Sequence, residues 1–468
     1  MTPTDKPVPN GRLRRTMPLA GFTARAAGGR LVAGLRARAG DENAVERFHE
    51  RTADRYTELL GASKGALMKA GQILSMIDAD AIGNANFAPY QKALSRLRAD
   101  APPMPADLVH AVLRDELGSR ADFFAEFDGA PIAAASIGQV HKAVLHDGRT
   151  VAVKIQYPGV AQAIRDDLAN TELLTTFMRL GAAATGMTID IRSMAAEITA
   201  RVTEEVDYRH EAAMITAFAD LHHGHPFIRI PEVVPEASAD RVLTMTYLDG
   251  MDWTEALHAD QDLRNTWAEV VFRFINSGSR HGNLAQVDPH PGNFRFNPDG
   301  TVGCLDFGCV QTLAERPRWL FIAMMHAGIE GRYEDCRALM LEMGLISADV
   351  SPADQRRMVA DMTHATSQPQ PVIYTAEQMT RSLHALFGGK QNSLPAGQMA
   401  VTREFVFLPR MQIAFDHLAA GLRATVPVRA ILEDLAGVAE PTTELGKLHH
   451  AWVRERGLPC GLDHHDHP

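Results

Sequence analysis

Cysteine is scarce in this 468-residue chain: there are four, Cys304, Cys309, Cys336 and Cys460, and no two stand at Cys-x2-Cys spacing. That excludes a disulfide framework and a sequence-marked zinc site, and it fits a reducing compartment. Long hydrophobic runs are missing too. No span approaches the ~20 apolar residues that a membrane-crossing helix needs. The longest candidate, Trp319–Ile329, is about half that length and contains His326, so it reads as a buried helix. Lysine is the third scarcity, eight residues against thirty-nine arginines, which draws attention to Lys69 and Lys154. Nor is there a basic surplus. The formal net charge of −10 excludes a general nucleic-acid binder.

What remains is the composition of an ordinary globular protein, 46% hydrophobic and 22% charged, long enough for two or three domains. The N-terminus has no continuous apolar core of the signal-peptide kind, so a cytoplasmic location is expected, extending to a peripheral place on the inner face of a membrane. Residues 1–40 hold eight Lys/Arg and one acid, interleaved with Leu19, Phe22, Leu31, Val32 and Leu35. Such a segment either lies on an anionic lipid surface or forms a partly disordered lead-in.

Hydrophobic spacing predicts helix over much of 41–118, with a Pro-rich break at 101–105 and a helix from about Ala106 to Leu117. From Phe127 the texture turns to short strands. Ile137–Leu145 and Thr150–Gln156 flank Asp147-Gly148, a hairpin signal. Residues 160–181 and 190–220 return to helix, Val233–Val234 and Val242–Tyr247 read as strands, and from 254 onward the chain is helical apart from one loop and hairpin. The expected organisation is a basic lead (1–40), a helical extension (41–118), a small β-rich lobe with a helical insert (119–250), a larger helical lobe (251–445) and a polar His-rich tail (446–468).

The interrupting loop and hairpin, 286–308, carry the chemistry. Asp288 is followed five residues later by Asn293, then by a strand (Phe294–Phe296), a turn (Asn297-Pro298-Asp299-Gly300), a second strand (Thr301–Leu305) and Asp306-Phe307-Gly308. Alone, each piece is more often a turn. Together they form the acidic half of a phosphate-handling site, because phosphoryl transfer needs charge neutralisation more than covalent help. Asn293 and Asp306 offer hard oxygens suited to magnesium, and Asp288 can orient a hydroxyl or water. Upstream, Val151-Ala152-Val153-Lys154 ends a strand in the form that places a lysine on nucleotide phosphates. Ala133-Ala134-Ala135-Ser136-Ile137-Gly138-Gln139-Val140 fits a Gly-x-Gly-x-x-Gly-x-Val loop with alanine for the first two glycines, whose Cβ atoms narrow the backbone. It is either a tuned nucleotide loop or a structural turn. A helix near 195–217 carries Glu204, Glu205, Asp207 and Glu211, with Asp207 and Glu211 on one face.

On these motifs the chain resembles the UbiB/ADCK family of atypical kinase-like proteins, best known for supporting coenzyme Q synthesis. Lys69-Ala70-Gly71-Gln72 resembles its Lys-x-Gly-Gln, Pro131–His141 its Ala-rich loop, Glu205-Val206-Asp207-Tyr208 with Glu211 its Glu-x-Asp region, and Asp288–Asn293 with Asp306-Phe307-Gly308 its magnesium site. The resemblance covers about residues 20–345. It implies an α+β, two-lobed protein-kinase-like fold whose N-terminal helical extension covers the cleft. It also implies ATP and Mg2+ as cofactors. Lys154 would pair with Glu211 and the phosphates, Asn293 and Asp306 would hold magnesium, and Asp288 would be catalytic. Ala133, Ala134, Ala135, Ser136, Gly138 and Val140 would line the nucleotide loop, and Tyr247-Leu248 would be the adenine hinge. Lys69, Gly71 and Gln72 would fold over the cleft, anchored by Glu205 and Asp207.

Two departures stand out. Gln286 replaces the histidine common two residues before the catalytic Asp, and Cys309-Val310-Gln311 leads into helix near Arg318 with no Ala-Pro-Glu segment. The expected function is a magnesium-dependent, UbiB-type ATPase or unorthodox phosphotransferase assisting isoprenoid-quinone or other lipid metabolism, with ATP, an anionic lipid surface and an isoprenoid lipid as partners, and not a protein kinase. The alternatives are a non-catalytic nucleotide-dependent switch or lipid-presenting scaffold and, on weaker grounds, a small-molecule kinase.

Overall fold

The computed structural model describes residues 47–55 except 49, 103–162 except 135 and 136, 164, 206–375, 377 and 408–462. The chain forms two compact units, Met1–Glu211 with Val233–Tyr247, and Ala212–Glu232 with Leu248–Pro468. From Ala106 the order is α1 (Ala106–Leu117), β1 (Phe124–Ala134), β2 (Gly138–Leu145), β3 (Thr150–Gln156), α2 (Tyr208–Leu221), β4 (Ile228–Arg229) and β5 (Val242–Thr246). After a short helix at Trp253–Ala256 come α3 (Gln261–His281), β6 (Leu284–Gln286), β7 (Phe294–Phe296), β8 (Val302–Cys304), β9 (Val310–Thr312) and α4 (Glu315–Ile329). Helices at Tyr333–Glu342, Pro352–Met362 and Leu408–Gly421 precede α5 (Val428–Leu435) and α6 (Glu444–Arg456).

In the first unit, an antiparallel sheet runs β1-β2-β3-β5. Strand periodicity decides what β3 buries. Val151, Val153 and Ile155 point one way and are fully buried against Val109, Val112, Leu113 and Leu117 of α1, which recur at helical spacing. Each such side chain contributes about 1.5–3 kcal/mol, so Val153→Asp, an unpaired charge at this seam, would break the packing. The alternate residues, Lys154 and Gln156, lie on the opposite face. The β2–β3 hairpin closes where expected, with Asp147 Oδ1 accepting from Arg149 N at 3.0 Å and Gly148 at φ 88°. Gly138 is glycine for a reason internal to the sheet: a Cβ there would lie 2.1 Å from Ile155 O.

The second unit is mainly helical. Its core helix, α3, is buried on most faces from Trp267 to His281. A three-stranded sheet runs β4-β8-β7, with β4 parallel and β7 antiparallel to β8, and β6 pairs antiparallel with β9. The β7–β8 turn uses Gly300 at φ 84°, and Asp299 Oδ1 accepts from both Thr301 N and Thr301 Oγ1. Among the described residues no helix is long and apolar enough to cross a membrane; Trp319–Ile329 lies within α4.

A chain of buried histidines runs through this unit. His281 Nδ1 donates to Pro459 O at 2.6 Å, a contact only a donor can make, so its Nε2 accepts. That nitrogen is 3.0 Å from His449 Nε2, whose Nδ1 is 2.9 Å from His225 Nε2, while His225 Nδ1 accepts from Ile228 N at 3.0 Å. Each ring therefore has one assigned tautomer, and all three are neutral. His222 stacks on Phe218 beside them, with its Nδ1 3.0 Å from Phe218 O and its Nε2 3.2 Å from Ser277 Oγ.

Several expectations need correction. The strand expected at Val233–Val234 is a single bridge, Val233 to Met245, and the strand sits instead at Ile228–Arg229 on β8. Pro231 and Pro235 bracket the two valines and leave no room for a paired run. The region beyond 254 holds more strand than expected: β6 with β9, and Val372–Ile373 with Thr425–Val426. Ala133 and Ala134 are not loop residues but the paired end of β1, opposite Val140 and Gln139, since alanine's Cβ is accommodated in a strand. Asp207 does not share a helical face with Glu211. It precedes α2 as the cap, its side chain accepting from His210 N at 2.9 Å, as Asp does at helix starts.

Candidate functional site

Two groups of side chains stand where chemistry was expected, one in each unit. In the first, Lys154 sits on β3 opposite Val140 of β2 and Leu243 of β5, and Ala133 of β1 extends the same row. Its Nζ donates to Glu211 Oε1 at 2.6 Å, with side chains 14% and 3% exposed. Glu211 lies in the first turn of α2, where the helix dipole favours a carboxylate. Gln156, on the same face of β3 as Lys154, donates from Nε2 to Val206 O at 2.9 Å, just before the Asp207 cap. Thus β3 holds the start of α2 at two points, and Lys154 also lies 5.6 Å above the Tyr208 ring. The pair is a cation held by a buried carboxylate, a form that presents an ammonium with few rotamers.

Sequence reasoning did not name Gln156; its i+2 relation to Lys154 was the available signal. Tyr247 binds Thr150 O through its N–H at 3.0 Å, Lys142 Nζ lies 4.5 Å above its ring, and the division between the units falls after it, with Leu248 beginning the second.

In the second unit, hydrogen bonds tie Asp288 to Asn293, and Asn293 to Leu305, the residue before Asp306. Asn293 Nδ2 donates to Asp288 O at 3.2 Å, and Leu305 N donates to Asn293 O at 2.9 Å. Asp306 Oδ1 accepts from Gly308 N at 2.9 Å. Phe307 is fully buried, 4.9 Å from the Phe218 ring and 6.3 Å from that of Phe274, which anchors the segment from behind. Gln286, noted only as a departure, ties the loop together: its Oε1 accepts from Asp288 N at 3.1 Å and its Nε2 donates to Asp306 O at 3.3 Å. His290 N donates to Asp288 O at 2.7 Å, and His290 Nδ1 accepts from Gly292 N at 3.1 Å.

Asp288, Asn293 and Asp306 are all half-buried. Asn293 spends its amide N–H on Asp288 O, which leaves its carbonyl oxygen as the ligating end. Among the described residues no group of three or more His, Cys, Asp and Glu could hold a metal alone. The donor set of one amide and one or two carboxylates fits a hard cation that keeps waters and takes further oxygens from a phosphate, as magnesium does. Lys69, Gly71, Gln72, Ala135, Ser136 and Glu205 lie outside the described residues.

Residues 96–340 match the family model described as the ABC1 atypical kinase-like domain. The chain is 35% identical over 288 residues to the atypical kinase COQ8B, mitochondrial, of Danio rerio, covering 60% of this chain and 44% of that protein. It is 33% identical over 264 residues to the atypical kinase COQ8, mitochondrial, of Saccharomyces cerevisiae, covering 56% and 51%. The chain thus spans about half the length of these curated relatives. A solved structure of Rv3197 with erythromycin, from Mycobacterium tuberculosis, matches 86% of this chain and 100% of its own at 32% identity, with a TM-score of 0.59. The fold is the kinase-like α+β arrangement, and the chain belongs to the ABC1 atypical kinase-like family, the UbiB/COQ8 group.

Proposed function

We propose that this chain is an ATP-binding, magnesium-dependent atypical kinase-like enzyme of the UbiB type, turning over ATP in support of isoprenoid-quinone or other lipid metabolism. The half-buried Lys154–Glu211 ion pair carries the reading. A surface lysine would be worth little paired this way, whereas a lysine fixed by a buried carboxylate suits repeated contact with phosphate oxygens. Asn293 and Asp306 would hold the magnesium, which when bound neutralises charge on the phosphates. Asp288, its backbone set by Gln286 and Asn293, would orient the attacking hydroxyl or water.

Ala133, Ala134, Ala135, Ser136, Gly138 and Val140, the facing ends of β1 and β2 with their connection, are proposed to bind the nucleotide, Tyr247 and Leu248 to contact adenine, and Lys69, Gly71, Gln72, Glu205 and Asp207 to form a cover that disfavours protein substrates. The basic segment at 1–40 supports a peripheral place on an anionic lipid surface at the inner face of a membrane.

Phosphate release from ATP by the purified chain, with magnesium and with or without anionic vesicles, tests this beside Asp306→Asn. The expected result is lipid-stimulated release that falls at least ~100-fold in the variant, by weakening the hold on the cation that would neutralise the transferring phosphoryl group. Release that survives Asp306→Asn would overturn the metal assignment. Nucleotide-dependent stabilisation with no release under any lipid condition would make the protein a switch or scaffold instead.

A further inference from the structure

We propose that Gln286 is a positioning residue, one uncharged amide that sets Asp288 and Asp306 in place together. The inference rests on the phosphate-site reading and deepens it. Gln286 ends β6, is 3% exposed, and pairs with Val310 across the β6–β9 ladder. The next rung is Val287 N to Cys309 O at 3.0 Å. One residue further, the Gln286 side chain itself supplies the link, accepting from Asp288 N at 3.1 Å and donating to Asp306 O at 3.3 Å.

The assignment of its amide is not arbitrary. Asp288 N can only donate and Asp306 O can only accept, so the oxygen must face Asp288 and the nitrogen Asp306. Each half of the amide thereby serves one acidic segment, and moving either segment breaks a buried bond. An imidazole carries an acceptor and a donor in the same 1,3 relation when neutral, so histidine can make both contacts. Glutamine makes them without carrying a positive charge beside the two carboxylates. The negative field of Asp288 and Asp306 is then left whole for a cation. A residue behind a ligand, fixing its orientation without touching the ion, characteristically changes affinity or activity by about 10- to 100-fold when lost.

The test uses the full chain with Gln286→Met, Gln286→His and Asp306→Asn. The readouts are the melting temperature without nucleotide, the magnesium concentration giving half-maximal thermal stabilisation by ATP, and kcat and KM for phosphate release. Gln286→Met is expected to raise the magnesium midpoint and lower kcat by about 10- to 100-fold, with KM for ATP near that of the native protein and a nucleotide-free melting temperature lowered by the loss of two buried hydrogen bonds. Gln286→His, assayed at alkaline pH where the ring is neutral, is expected to restore most of both. A Gln286→Met variant that melts earlier but keeps its magnesium midpoint is merely a packing defect and overturns the proposal. So does a Gln286→His variant as impaired as Gln286→Met. If Asp306→Asn leaves the magnesium dependence intact, the phosphate-site reading itself falls and takes this inference with it. If Asp306→Asn abolishes that dependence while Gln286→Met leaves it unchanged, only the role of Gln286 is refuted.

Discussion

Acidification from about pH 7 to about pH 4.5 is expected to strip several kcal/mol from the stability of the helical unit, through its buried histidines. Burial is the main reason that His222 and His281 are held down to about 4, with His281 and Arg456 pushing His222 the same way, and Arg280 and Arg318 likewise for His281. Burial also places His225 and His449 well below the usual 6.5, with Arg273 and the neighbouring histidines adding to it. The tautomers explain why. In the run from Pro459 O through His281, His449 and His225 to Ile228 N, every ring nitrogen already donates or accepts. An added proton would set two donors face to face.

The direction of the effect follows from proton counts. Well above pH 6.5 neither state binds a proton at these rings and nothing is lost. As pH falls from 6.5 towards 4 the unfolded chain takes up protons that the native rings refuse, so stability drops by roughly 1.4 kcal/mol per pH unit for each histidine. Urea midpoints at several pH values read this directly. His449→Gln, whose amide can accept from His225 and donate to His281, should flatten the dependence by about one proton. A midpoint that stays level down to pH 4.5 would sink the argument.

Asp434→Ala is expected to destabilise the protein by about 3–5 kcal/mol, because it takes from a buried guanidinium the carboxylate that accepts from both its Nη groups. Arg273 on α3 is fully buried and donates to Asp434 Oδ1 and Oδ2 of α5 at 2.9 and 2.8 Å, to Glu269 Oε1 at 2.9 Å and to Thr443 Oγ1 at 3.1 Å. Thr443, in turn, caps α6 by accepting from Gly446 N at 2.9 Å. The fit excludes even a methyl group: a Cβ on Gly446 would lie 2.7 Å from Arg273 Nη2 and 2.9 Å from Asp434 Oδ2. Removing all three charges of the network should hurt less than removing one. In urea unfolding, Arg273→Met with Asp434→Leu and Glu269→Gln is therefore expected to be more stable than Asp434→Ala alone, since buried ion pairs gain little over uncharged packing. Equal losses in the two variants would show the bond network to be incidental.

Local features were legible in the sequence. The helix at Ala106–Leu117, the strand at Thr150–Gln156 and the Asp147-Gly148 turn are set by residues near one another in the chain, and they stand where spacing put them. The Asp288, Asn293 and Asp306 unit is also local, spanning fewer than twenty residues. The partnership of Lys154 with Glu211 came from resemblance, for nothing in spacing joins residues fifty-seven apart. Where prolines bracketed a β-branched pair, propensity alone misplaced the strand. Asp207 was misread because a helix-compatible acid and a helix cap look alike until the chain's path is known. The histidine chain left no trace in the sequence: His225, His281 and His449 come from elements up to 224 residues apart, and each alone is an ordinary buried residue.

The thiols that bracket Asp306 make it possible to time the opening of this region without any substrate. Cys304 and Cys309 are both buried, and burial pushes the Cys304 thiol well above its usual range. Only a thiolate reacts with an alkylating reagent, so in the closed state both are expected to be silent. Their labelling rate is then a clock for local opening of the strand and turn that carry Asp306. A ligand that clamps this segment would slow the clock whether or not any phosphate is ever released.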